Sequence, residues 1–147
     1  MEQQMSCGEV EIREVTWLEA EDQLRLIRTQ VFIVEQGVPE DMEWDGFDSE
    51  AVHLLAVLPD GTVAGTVRLL EDGHVGRMAV VNEWRNRGVG RALLATVLDI
   101  ASKKGVHRIV LNAQTSALGF YEKVGFQRVG GEFLDAGIPH YRMIYRR

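Results

Sequence analysis

The hydrophobic period changes several times along the chain, and each change marks an element. Residues 10–15 alternate apolar and polar side chains, the period of a half-buried strand. Thr16 and Glu19 then stand at capping-box spacing, so a helix is expected to begin near Trp17. Leu24, Ile27, Val31 and Val34 recur three and four apart, a buried stripe running to about Glu35, and Gly37 with Pro39 ends it. Residues 51–58 form a continuous apolar strand interrupted only by His53, closed by a Pro-Asp-Gly turn. In residues 62–71 Val63, Gly65, Val67 and Leu69 share one face, and Asp72-Gly73 is a two-residue hairpin signal leading into an antiparallel strand over 74–81. Val89, Leu93, Val97 and Ile100 return to helical spacing, with Lys103, Lys104 and Gly105 as a C-terminal stop. A buried strand over 108–113, a short helix over 116–123 and a hairpin over 126–145, turning at 135–139, complete the order.

A long helix between the strands at 74–81 and 108–113 makes that pair parallel, with a right-handed crossover. The turns at 59–61, 72–73 and 135–139 make their flanking strands antiparallel, so the fold class is α/β (α+β): a mixed, mostly antiparallel sheet flanked by helices, with one parallel pair. Residues 1–8 are polar and aperiodic, a loose lead-in to a single domain over 1–147.

Composition changes this picture little. With 46% apolar and 26% charged residues the chain is an ordinary globule, and a formal charge of −6 argues against nucleic-acid binding. No apolar run approaches the roughly 18 residues of a membrane span, and no signal pattern precedes the first strand, so a cytoplasmic location is expected. The lone Cys7 excludes an internal disulfide, and no His/Cys/Asp group shows metal-ligand spacing. Between Thr29 and Val67 there is no Lys or Arg, yet seven carboxylates fall between Glu35 and Glu50. Such a block is either a solvated loop or a negative pole for a cationic ligand.

The chemistry gathers at NEWRNRGVGRALL, residues 82–94, where a strand gives way to a helix. The first amides of a helix lack intrahelical partners and, with the helix dipole, attract an anion. Gly88 and Gly90 let phosphate reach the backbone, and Arg85, Arg87 and Arg91 add guanidinium contacts. The P-loop lysine is absent and Leu93 stands where a dinucleotide fingerprint needs its third glycine.

The segment from Arg85 to Gly90 does fit R-x-x-G-x-G, the pyrophosphate signature of the GCN5-related N-acetyltransferase (GNAT) superfamily. HVGRMAVVNEWRNRGVGRALL resembles that family's strand, turn and helix, and LNAQTSALGFYEKVGF resembles its next strand and short helix. RTQVFIVEQGVP and FLDAGIPHYRM resemble one subgroup, the small bacterial acetyltransferases similar to ElaA and YjcF. The resemblance implies transfer of an acetyl group from acetyl-CoA to an amine by direct attack. It implies that Arg87, Gly88, Val89, Gly90 and Arg91, with Asn86, hold the pyrophosphate through backbone amides. Arg85 either pairs with phosphate or braces the turn. Met78, Ala79 and Val80 lie on the strand that pairs with pantetheine, and an amide near Val80 polarises the thioester carbonyl. Tyr121 matches the tyrosine that protonates the departing thiolate. Asn112 and Gln114 are further cofactor contacts, although Gln114 replaces the usual Asn.

The base is less legible. Glu35, Glu43, Asp45, His53, His74 and His140 are all candidates, with Glu43 and His140 ranked first and His53 read as a core residue. The acidic block suggests a small cationic amine as acceptor, a peptide or protein lysine being the second class. Two rival functions remain open, a catalytically silent CoA-binding sensor or interaction module and a nucleotide-binding domain. Exposed strand edges leave room for a homodimer.

Overall fold

The computed structural model describes residues 10–146, so the predicted lead-in lies outside the described residues. Strand β1 (Glu11–Val15) leads into helix α1 (Trp17–Arg28) through the expected capping box: Glu19 N–H donates to Thr16 Oγ1, and Thr16 N–H donates to the Glu19 carboxylate. The helix continues as a π-helical segment, Thr29–Glu35, which stops at Gly37 (φ +75°). Its wider turns advance less per residue than an α-helix does. Leu24, Ile27 and Val31 are buried as the stripe required, but three residues beyond Val31 the chain has not come round again. Val34 is therefore 74% exposed, contrary to expectation.

The acidic segment holds helix α2 (Glu40–Glu43) and a single 3₁₀ turn, Asp48–Glu50. Strands β2 (Val52–Val57), β3 (Val63–Leu69) and β4 (Val75–Val80) then join β1 in an antiparallel sheet ordered β1-β2-β3-β4. Helix α3 (Val89–Lys103) covers one face, packing Leu93, Val97 and Leu98 on Leu54, Ala56 and Val67; α1 covers the other, packing Leu24 on Leu55 and Val57. Burial on both faces is why β2 reads as a continuous apolar run. A bulge pairs Val57 with Val63 and skips Ala64, so Val63 turns to the α1 side instead of sharing a face with Gly65, Val67 and Leu69.

Strand β5 (Arg108–Gln114), helix α4 (Leu118–Glu122), β6 (Gln127–Asp135) and β7 (Ile138–Arg146) follow, with sheet order β5-β7-β6. The last hairpin turns more tightly than expected. Ala136 (φ 53°) and Gly137 (φ 78°) form a two-residue turn, and Pro139 lies inside β7. It is tolerated there because β5 pairs with β7 only from His140 onward, so no ladder bond needs the missing N–H.

The two sheets meet at the expected parallel junction, reduced to one bridge between His74 and Val110, with Val110 N–H donating to Gly73 O at 3.0 Å. Beyond it β4 and β5 separate, and the open edge of β4 becomes the wall of a cleft. No helix among the described residues is long and apolar enough to cross a membrane.

Candidate active site

The cleft between the sheets has a volume of about 1050 Å³. The candidate site residues of the sequence line it except Arg87 and Val89 and, among the candidate bases, Glu35, Asp45 and His53. Val89 is buried in the core beneath the turn, and Arg87 lies over the Trp84 ring at 4.8 Å.

At one end, Asn86 (φ 63°) and Gly88 (φ 89°) bend the chain into α3. Gly88 is its N-cap and offers no side-chain acceptor, and the first intrahelical bond is Ala92 N–H to Gly88 O at 3.0 Å. The amides of Val89, Gly90 and Arg91 are thus left for another acceptor. A Cβ at Gly90 would come only to 3.5 Å from Phe120, so this glycine keeps the cleft open rather than relieving a backbone clash. Arg85 braces the turn. Its Nε donates to Val80 O at 2.8 Å, and its two terminal nitrogens grip the Glu35 carboxylate at 2.5 and 2.6 Å. That grip lowers the Glu35 pKa, the hydrogen bond being the main cause, and raises that of Arg85.

Along the wall, Val81 N–H donates to Ala64 O in the sheet, so the pleat turns Val80 N–H the other way, toward the open edge. A bulge sets Arg77 and Met78 together opposite Val67, with Arg77 in the left-handed region at φ 51°. The Tyr121 hydroxyl stands across from it, 3.7 Å from Met78 Sδ, its ring held edge-on by Phe120 and Phe126. Burial pushes the phenol up to about 12, so it keeps its proton at neutral pH. Asn112 lies on the facing strand β5, and Gln114, which ends it, donates to Gln36 Oε1 at 3.0 Å.

His140 is 8% exposed and sits on β7, stacked on Phe133. Its Nδ1 lies 2.7 Å from Ile138 O. A carbonyl can only accept, so Nδ1 carries the proton and Nε2 has a free lone pair. Glu43 is 3% exposed, with Oε2 bound by Arg28 Nε at 2.7 Å. His74 is half-exposed and faces Asp72 at 3.0 Å. His53 is fully buried, held by Asp48 O at 2.9 Å and by the Trp17 ring, and burial lowers its pKa; it lies in the core as the sequence indicated.

The acidic block is a solvated loop only in part: Glu40, Asp41 and Glu50 are exposed, whereas Glu35 pairs with Arg85 and the rest are tied inward. Three of its carboxylates close a ring with three arginines from outside it. Arg28 bonds Glu43 and Asp48, both at 2.7 Å; Asp48 bonds Arg68 at 3.1 Å; Arg68 bonds Asp45 at 2.9 Å; Asp45 bonds Arg77 at 3.0 Å; and Arg77 returns to Glu43 at 3.1 Å. Burial raises the Asp45 pKa, but hydrogen bonds from Arg68 and the Phe47 amide outweigh it and bring it down to about 2. Sequence reasoning missed Arg28, Arg68 and Arg77 in this role. The available signal was a charge inside the apolar strand Val63–Leu69, at Arg68, and one beside the buried stripe of α1, at Arg28, each of which requires a counter-charge.

The profile of the acetyltransferase (GNAT) domain matches residues 11–147. The N-acetyltransferase YjcF of Bacillus subtilis is 35% identical over 130 residues, covering 84% of this chain and 93% of that protein. Among solved structures, an acyl-CoA N-acyltransferase from Pseudomonas aeruginosa aligns with a TM-score of 0.83 at 29% identity, covering 92% of this chain and 99% of the other. Escherichia coli ElaA aligns equally well, with a TM-score of 0.83 at 26% identity and the same coverage. The chain therefore belongs to the GNAT acetyltransferase family.

Proposed function

We propose that the protein transfers an acetyl group from acetyl-CoA to a primary amine by direct attack, with no acyl-enzyme. The observation that carries this is the convergence of three functions on one cleft: an anion-binding helix start, an open strand edge, and a protonated phenol facing that edge. Acetyl-CoA supplies the activated acetyl thioester. The amides of Val89, Gly90 and Arg91 bind its pyrophosphate, Gly88 and Gly90 giving the clearance. Val80 N–H stabilises negative charge on the carbonyl oxygen; preorganised donors of this kind are worth about 3–4 kcal/mol. Arg85 serves as the brace and not as a phosphate ligand, because each of its three nitrogens is already committed to Glu35 or Val80 O.

The incoming amine must lose a proton as its C–N bond forms, and we assign that proton to His140 Nε2, directly or through one water. Glu43 is the weaker candidate because two arginines already hold its Oε2. When the C–S bond breaks, the thiolate takes the Tyr121 proton; a phenol kept neutral by burial can give it.

Thermal unfolding with acetyl-CoA, ATP and NAD added separately tests the cofactor. Ligand at a hundred times its dissociation constant stabilises by about 2.7 kcal/mol, roughly 5–10 °C for this length. Acetyl-CoA alone is expected to produce the shift, and Gly88→Asp to abolish it by bulk and like charge. A shift with the nucleotides and none with acetyl-CoA would overturn the proposal. Thiol release in the presence of an amine panel tests the transfer itself.

A further inference from the structure

The ring of three arginines and three carboxylates is formally neutral, so these three carboxylates offer no free negative charge to an acceptor. It is also uneven. Arg28 uses all three guanidinium nitrogens, on Glu43 Oε2, Asp48 Oδ1 and Glu43 O. Arg68 uses its two terminal nitrogens, but its Nε is buried with no acceptor. Arg77 places Nη2 on Glu43 O and Asp45 Oδ2 at 3.0 Å each, while its buried Nε makes only an off-axis ion contact with Glu43. Its Nη1 has no acceptor among the described residues, and the side chain, 24% exposed, lines the cleft. Donors are therefore left over on the cation side of the ring, and Arg77, which carries one of them, is a wall residue of the cleft.

Arg77 occupies the bulge of β4 in a left-handed conformation that non-glycine residues rarely adopt, and such strain collects at ligand-binding positions. The next residue, Met78, touches the Tyr121 hydroxyl, and all three residues line the same cleft. Burial first, and then the charges of Arg68 and Arg28, pull the Arg77 pKa below its ordinary value despite Glu43 and Asp45. The guanidinium is thus paired through Nε and Nη2 and left with Nη1 to spare.

We propose that Arg77 receives the carboxylate of the acceptor, which is accordingly an amino acid whose amine reaches toward Tyr121 and His140. This rests on the acetyltransferase reading for the amine and on the geometry of the ring for the carboxylate. A carboxylate can accept charge-assisted hydrogen bonds from the N–H groups of the one free nitrogen, Nη1.

The test compares amines with and without the carboxylate: phenylalanine against phenethylamine, lysine against cadaverine, β-alanine against propylamine. We expect kcat/KM at least tenfold higher for the amino-acid member of at least one pair. That ratio should fall below threefold in Arg77→Asn, whatever happens to the absolute rates. Asn is chosen because it tolerates the left-handed backbone, and its unfolding midpoint reports whether the variant is folded. Arg77→Lys, which keeps the charge and loses the fork, should fall between. Turnover of the decarboxylated partners equal to or above that of the amino acids in the unaltered protein would overturn the proposal while leaving the acetyltransferase reading intact. If no amine is acetylated, calorimetric binding of N-acetylated amino acids against their neutral methylamides, with and without CoA, decides instead. A tenfold preference for the acids that Arg77→Asn erases supports the carboxylate site; equal affinity, or no binding of either, overturns it.

Discussion

Replacing Arg28 by Met tests whether the buried ring holds the fold together. Arg28 is 1% exposed and lies over the Trp44 ring at 4.9 Å, with Glu43 and Asp48 both 2.7 Å from its nitrogens. Met fills a similar volume without charge, leaving two carboxylates in a dry site. Removing one partner of a buried pair costs about 3–5 kcal/mol. The loss should stay within that range, because Glu43 keeps Arg77 and Asp48 keeps Arg68. An unfolding entropy of about 2.1 cal/mol/K per residue gives roughly 0.3 kcal/mol/K for the chain, so the midpoint should fall by about 10–16 °C. Urea unfolding read by tryptophan fluorescence is well placed, since Trp17 and Trp44 both face Arg28. Disrupting the exposed Arg13–Glu11 pair with Glu11→Gln is the control, at under about 1 kcal/mol. The pH dependence sharpens the test. Burial raises the Asp48 pKa, but Arg28 and then Arg68 bring it below the usual range. Such a group stabilises the fold above its unfolded pKa, near 4, and that stability is lost as pH falls through the folded value. The gap between the two proteins should be widest at pH 7 and narrow below about pH 4. A gap under 1 kcal/mol at pH 7, or one that does not change with pH, would refute the reasoning.

Tyr121→Phe should lower kcat by about a hundredfold or more, the lower bound for a positioned general acid, and leave acetyl-CoA affinity within twofold. An unchanged kcat would return the ring to its packing on Phe120 and Phe126. Gly65→Ala should destabilise by about 1–3 kcal/mol in a denaturant titration, because its Cβ would stand 2.9 Å from Ala79 O and 3.0 Å from Leu93 Cδ1; wild-type stability would mean that α3 can shift off β3. Asp45, at about 2 in the fold against 3.8 unperturbed, should contribute about 1–2 kcal/mol above pH 4 after allowance for its partial exposure, lost between pH 4 and pH 2. Asp45→Asn should therefore be less stable than the unaltered protein at pH 7 and level with it near pH 2; a constant difference would assign the loss to shape.

Local physics made most of the elements legible. The capping box at Thr16, the hairpin turn at Gly73 (a three-residue loop, 71–73, where two residues were expected) and the glycine start of α3 involve residues within a few positions of one another, so their signal lies in the sequence itself. The failures were of two kinds. Val34 and Val63 were placed by an unbroken period, whereas a π-helical segment and a β-bulge each shift the phase, and nothing local announces either. The acidic block was hidden by distance: its partners lie up to 50 residues away, and pairing across such separations is decided by the fold. Two residues nonetheless carried a usable hint. Arg68 stands within the apolar strand Val63–Leu69 and Arg28 beside the buried stripe of α1, and a charge committed to burial needs a counter-charge.

The ring and the Arg85 brace answer one mechanical problem. The ligand edge of β4 has no neighbouring strand beyond the single bridge at His74, and an unpaired edge is both mobile and open to wrong partners. Two arginines fix that edge from the side. Arg77 ties the bulge to the acidic segment through Glu43 O and Asp45, and Arg85 ties Val80 O to Glu35 at the end of the π-helical segment. Between these anchors lie Met78, Ala79 and Val80, the stretch assigned to the thioester. The same phase shift that exposes Val34 ends the helix with Glu35 in reach of Arg85 and Gln36 in reach of Gln114. A strand held at both ends needs little reordering when ligand arrives, and the ordering cost is then met in folding and not in binding. The acidic block that looked like a substrate attractor is, on this reasoning, part of the frame that keeps an edge strand straight.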